Sequence, residues 1–268
     1  MNTEHQPDQY PQPRHVFIVL LVTMFVTFTF GLIGVAIGGK TEIFLLEAVI
    51  IVPALFFTLK NKYSLVTVFR LKPVNKNIIA ISIVIGIAFT IISDEIDRIV
   101  QIFFPMPSTI QDAINENLKI HSTSDLIIII FSAVFLAAIL EEMLFRGFVQ
   151  TSFEDNFDVT KAVMSTALIF TVIHFNPWWG IQMLIFGIIL GVLAWKSNSV
   201  IPPIIIHLIN NCIALIFSNL QPENYQWYLY KDHVNIPILI AAVVIVVYGI
   251  KLFYRLCDYS ENYGSEIK

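Results

Sequence analysis

Long apolar runs broken by short polar turns recur along almost the whole chain. Eight stand out, at about residues 16–38, 42–59, 77–94, 125–148, 160–175, 180–195, 200–218 and 235–255. A helix needs roughly 20 residues to cross the about 30 Å of a bilayer's hydrocarbon. The pattern therefore predicts an all-α polytopic transmembrane bundle of about eight spans, with residues 1–268 forming a single integral membrane domain. There is no internal repeat and no low-complexity region. Met1 to Arg14 is polar and contains prolines, and the apolar run after it is too long for a signal-peptide core, so it reads as a retained first span. The longest polar connection, about 95–124, holds Pro105, Pro107, Gln111, Asp112, Asn115, Glu116 and Asn117. It fits an interfacial helix and a loose loop equally well.

Composition agrees with the membrane reading. Of 268 residues, 56% are hydrophobic and only 13% charged, too few charges to cover a soluble domain of this length. The net charge of -4 gives no reason to expect a nucleic-acid partner; the expected surroundings are a lipid bilayer. Cys212 and Cys257 have no metal or redox spacing. Tyr225, Trp227, Tyr228 and Tyr230 precede the last span and look like an interfacial aromatic belt. Lys60, Lys62, Arg70, Lys72 and Lys76 follow the second span, whereas acids dominate after the third. The positive-inside rule then places both termini in the cytoplasm. The short connections and low charge suit a bacterial plasma membrane. Nothing in the sequence specifies an oligomer.

Three polar pairs interrupt this apolar background. Glu141 and Glu142 end a run, Leu126 to Leu140, in which Ser132 is the only polar side chain. Adjacent carboxylates near hydrocarbon depth are costly unless paired or used. Glu142 and Arg146 are four apart and share a helix face, which leaves Glu141 less neutralised. Phe170 and His174 have the same spacing, and so do His207 and Asn211. Each pair alone has an ordinary explanation: an ion pair at the boundary, a structural histidine, or polar glue between helices. The turn Glu154–Asp158 separates the fourth and fifth segments with its centre near 157, so an antiparallel hairpin brings Glu141 and His174 to one depth. Such a set suits hydrolysis, with Glu141 and His174 deprotonating water and His207 and Asn211 donating to an oxyanion. It also suits zinc held by Glu141, His174 and His207. The residues alone do not choose between zinc and metal-free glutamate chemistry.

These residues resemble the motifs of the type II CAAX prenyl endopeptidase and bacteriocin-processing (CPBP or Abi) family. The family pattern appears as Glu141-Glu142-x-x-x-Arg146, Phe170-x-x-x-His174 and His207-x-x-x-Asn211, in order, within a core of about 125–215. The resemblance implies an α-helical intramembrane endopeptidase acting on a peptide or prenylated protein. Glu141 and His174 would act on water, His207 and Asn211 on the oxyanion, and Glu142, Arg146 and Phe170 in support. Two other classes compete: a non-catalytic immunity or receptor protein, and a proton-coupled transporter, since intramembrane Glu and His also build proton relays. The lack of inverted halves with broken helices argues against transport. Gly-x-Ser, His-Glu-x-x-His and Gly-Asp signatures are missing.

Overall fold

The computed structural model describes residues 10–263. Among these residues, nine helices exceed two turns: α1 (Pro13–Ile37), α2 (Thr41–Lys60), α3 (Lys76–Phe103), α4 (Ser108–Leu118), α5 (Thr123–Asn156), α6 (Val159–Ile173), α7 (Gly180–Ser197), α8 (Ile201–Asn219) and α9 (Ile236–Tyr263). A two-stranded hairpin, β1 (Leu229–Tyr230) with β2 (His233–Val234), closes the connection before α9. The chain is an all-α polytopic bundle. Seven helices are long and apolar enough to cross a membrane, and α6 is a shorter apolar helix of 15 residues. At 1.5 Å per residue α6 covers about 22 Å, short of a full crossing.

Several boundaries differ from the sequence expectation, each for a physical reason. Residues 50 and 51 interrupt α2, just before Pro53, which has no amide hydrogen to continue the ladder. The third span, expected to end near 94, runs to Phe103. Its acids do not end the helix because partners satisfy them. Asp94 accepts from Arg98 Nε at 3.0 Å and from the Tyr228 hydroxyl at 2.9 Å, and Gln101 donates to Asp97. Glu95 receives His233 Nδ1 and the Val234 amide, both at 2.7 Å. Of the two readings of the 95–124 connection, the helix is the one found, as α4. Tyr228 is more than a belt residue: it is buried against Phe217 and bonded to Asp94. Burial, reinforced by the Asp94 carboxylate, pushes its phenol well above the ordinary range. Residues 1–9 of the polar N-terminal stretch lie outside the described residues.

α1 and α2 pack as a hairpin, α2 against the first half of α5 and α1 against its second half, where Phe17 meets Phe153. On the other side of α5 lie α8 and the α6–α7 hairpin; α3 packs on α8, and α9 covers α3. The basic connections gather at one end. There Thr151 donates to Val68 O, the Val200 amide to Arg70 O, Ser199 Oγ to Lys72 O, and Arg70 pairs with Glu154. At the other end Lys40 bonds Glu116 O, Asn219 bonds Leu118 O, and Phe104 stacks on Trp178. Glycines allow the closest crossings, as expected where lipid supplies no hydrophobic drive. A Cβ on Gly187 would lie 3.0 Å from Ala167 Cβ, drawing α7 onto α6. A Cβ on Gly147 would lie 2.8 Å from the Phe69 Cα, which is backbone and cannot swing aside. Gly147→Ala is therefore expected to destabilise the protein by about 1–3 kcal/mol. Thermal unfolding in detergent checks this; an unchanged midpoint contradicts the close approach.

Candidate active site

α5 carries the centre of the site and is not a uniform α-helix. Two π-helical stretches, Ile130–Leu136 and Met143–Val149, bracket the α-helical segment Ala137–Glu142 that ends in the two carboxylates. Single π-turns inside helices recur at functional sites because they re-aim side chains. Consecutive residues on a helix point about 100° apart at 3.6 residues per turn. Glu141 and Glu142 therefore face different neighbours.

Glu142 faces inward and is fully buried, as is Arg146. Arg146 Nη1 donates to Glu142 Oε1 at 2.8 Å, the pair that the spacing of four predicts. The same Oε1 accepts from His207 Nδ1 at 2.8 Å, a link that the spacing does not reveal. Arg146 Nη2 also donates to Gly187 O at 3.3 Å on α7, and its guanidinium lies over the Phe170 ring at 4.4 Å. Phe170, on α6, is the apolar floor of the site: Phe145 meets it edge-on at 5.1 Å, His174 packs at 4.6 Å and His207 at 6.3 Å. One buried ion pair thus joins four helices.

Glu141 faces His174. Glu141 Oε2 and His174 Nε2 are 3.8 Å apart. That is too long for a direct hydrogen bond, but a water within hydrogen-bonding distance of both fits such a separation. His174 Nδ1 lies 2.6 Å from Phe170 O. A carbonyl only accepts, so Nδ1 carries the hydrogen, and in the neutral form of the ring the lone pair is at Nε2, towards Glu141. α6 ends here: the next residue, Phe175, has φ 49, a left-handed conformation that stops the helix at His174.

His207 and Asn211 share a face of α8. Asn211 Nδ2 donates to Ala133 O at 2.9 Å, in the first π-helical stretch of α5. That acceptor fixes the amide's orientation and leaves its second N–H for another partner. Asn210 donates to Asn211 Oδ1 at 3.3 Å. The zinc alternative finds no ligand set: among the described residues no three His, Cys, Asp or Glu side chains gather as a metal site. His207 Nδ1 is already bound to Glu142, and His174 Nδ1 to a carbonyl.

Sequence reasoning missed Glu47. It lies on α2, where the helix packs against α5. Its Oε2 is sealed from solvent without a hydrogen-bond partner, like Glu141 Oε2 and Glu142 Oε2. The available signal was an acid within an apolar span, Ile43-Phe-Leu-Leu-Glu47-Ala-Val-Ile-Ile-Val52.

The fold and these groups define a polytopic membrane protein with a buried carboxylate–imidazole site. Residues 123–213 match the family model of the type II CAAX prenyl endopeptidase, Rce1-like. The match starts at the first residue of α5 and takes in Glu141, Glu142, Arg146, Phe170, His174, His207 and Asn211, so the family is the one that the motifs resemble. At the level of that family the match supports a protease of the CAAX type in the membrane. No curated protein and no solved structure matches the chain.

Breaking the buried pair from one side leaves an uncompensated charge. Arg146→Met is expected to destabilise the protein by about 3–5 kcal/mol, read as an earlier midpoint in denaturing-detergent titration. A midpoint equal to wild type would show that Glu142 needs no partner.

Proposed function

We propose that the protein is an intramembrane endopeptidase in which Glu141 and His174 activate water and His207 and Asn211 stabilise the oxyanion. The observation that carries this is the facing of Glu141 Oε2 and His174 Nε2 across 3.8 Å, with Glu141 Oε2 unbonded and the His174 Nδ1 hydrogen held by Phe170 O. A water between them loses a proton to Glu141 while its oxygen attacks the scissile carbonyl carbon. The carbonyl π-electrons move to oxygen, where donors are needed. The C–N bond then breaks, and the proton on Glu141 goes to the leaving nitrogen, restoring the base. Every step closes in protons and electrons on this chain's own side chains, as metal-free glutamate catalysis requires.

The role of Glu142 follows from the donors. His207 Nδ1 already gives its hydrogen to Glu142, so Nε2 donates to an oxyanion only from the imidazolium form. Glu142 is the counter-ion for that form, and Arg146 fixes Glu142. Asn211 supplies the N–H not used by Ala133 O. We place the basic end of the bundle, with Arg70, Lys72 and Lys196, in the cytoplasm. The substrate is then the lipid-proximal end of a protein, prenylated or not, presented at the membrane. The immunity, receptor and transporter alternatives draw no support from the family match.

The test is cleavage of prenylated and unprenylated C-terminal peptides by purified protein in lipid. Glu141→Gln keeps the shape but lacks the base, and should lose at least about 10²-fold in kcat. Asn211→Ala should lose about 10²–10³-fold in kcat with KM little changed. Full activity of Glu141→Gln would overturn the assignment.

A further inference from the structure

Four polar side chains of α5 stand in strict steps of four: Glu142, Arg146, Gln150 and Glu154. In a uniform α-helix each such step turns about 40° past a full turn, so Gln150 would point about 80° away from Glu142. The partners show a common direction instead. Arg146 Nη2 donates to Gly187 O at 3.3 Å and Gln150 Nε2 to Gly191 O at 2.9 Å, one turn apart on α7. Gln150 Nε2 also donates to Glu154 Oε1 at 2.7 Å. The π-helical stretch Met143–Val149 accounts for the alignment, because its wider i→i+5 turns take back the drift.

Such turns are rare, and these are held from the connection between α2 and α3. The Phe69 backbone packs against Gly147, and the Thr151 hydroxyl lies 2.8 Å from Gly147 O and 3.1 Å from Val68 O. Arg70 Nη1 donates to Arg146 O at 3.4 Å, and Nη2 pairs with Glu154. Arg70 is buried, and its φ of 50 is the left-handed conformation that glycine usually takes after a helix such as Leu65–Val68. A side chain kept at that backbone cost points to a task for it. The Arg70 carbonyl accepts from the Val200 amide at 3.1 Å, directly before α8. One residue therefore joins α5 to the start of α8, the two helices whose side chains meet at Glu142 and His207.

We propose that Arg70 is a positioning residue of the active site, holding the π-helical turns of α5 in register so that Glu142 stays aimed at His207. This rests on His207 serving the reaction through Glu142. Residue 70 lies outside the stretch 123–213 that matches the family model. Arg70 touches neither substrate nor reacting atoms; it acts through the Arg146 carbonyl and Glu154. Were α5 to relax to a uniform α-helix, Glu142 would swing about 80° relative to Gln150, which stays bonded to Gly191 O. The 2.8 Å bond from His207 Nδ1 would then break.

Two measurements on the full chain in lipid test it, with two variants. Arg70→Met combined with Glu154→Met removes both charges, so neither is left buried alone and the unfolding midpoint should stay near that of wild type. Arg70→Lys is the milder change: it keeps the charge opposite Glu154 but lacks the planar fork that serves Glu154 and Arg146 O at once. The first measurement is nitrogen NMR of histidine-labelled protein, with the His207 Nδ1 resonance assigned by its loss in His207→Gln. That resonance should shift in both variants. The second is the peptide-cleavage assay, in which both variants should lower kcat per folded molecule about 10- to 100-fold at nearly unchanged KM, the cost of a misaimed group. A merely structural role predicts activity that falls only with the folded fraction and a His207 resonance where wild type has it. Either an unmoved resonance or an undiminished kcat per folded molecule overturns the proposal. The two readings fail separately: a wild type that cuts nothing, with a resonance that shifts as stated, defeats the protease reading and leaves the positioning of Glu142 standing.

Discussion

Everything at the centre of this bundle depends on one oxygen. Glu142 Oε1 accepts from Arg146 at 2.8 Å and from His207 at 2.8 Å. Through Arg146 it reaches Gly187 O on α7 and the Phe170 face on α6; through His207 it reaches α8. A buried ion pair is a poor way to gain stability, since apolar residues of similar volume commonly do as well. What such a pair does provide is position. With its charge fixed by Arg146, Glu142 can hold only one edge of the His207 ring, and the other edge is thereby aimed.

The same pairing leaves Glu141 without a cation. One arginine serves two adjacent glutamates, and the about 100° between consecutive helical residues sends the second carboxylate to a different neighbourhood. There it meets a histidine whose Nδ1 hydrogen is held by a backbone carbonyl. The division of labour follows from local helix geometry. Glu142, with its partners, builds the frame, and Glu141 stands outside it, facing His174.

The spans were legible because hydrocarbon imposes a length and a composition that a turn cannot imitate. The Glu142–Arg146 pair was legible from a spacing of four, and the Glu141–His174 meeting from counting residues on either side of the turn near 157. Other features depend on tertiary placement and leave no periodic trace. The Glu142–His207 bond needs α8 to lie against α5 at a particular height. Glu47 has a sealed, unpartnered oxygen only because α2 packs on the first half of α5. The acids at the end of α3 looked like a loop because their partners, Tyr228, His233 and Val234, lie more than 130 residues away. The π-helical stretches of α5 have no composition of their own, and Ile130–Leu136 reads as any apolar helix.

The short α6 completes the logic. A helix that crossed the full bilayer would carry His174 past the depth of Glu141 or bury it mid-helix, where its ring would be hemmed in by the following turn. Instead Phe175 adopts a left-handed conformation and the helix stops, so His174 stands at an open end. Its side chain is 25% exposed, against 9% for Glu141, 6% for His207 and none for Glu142. Exposure falls steadily from His174 inward to the ion pair. His174 is thus the most exposed group of the site, while the groups that must hold fixed geometry stay sealed behind it. An incomplete span, which looks like a defect in a hydropathy profile, lets one site be both accessible and rigid.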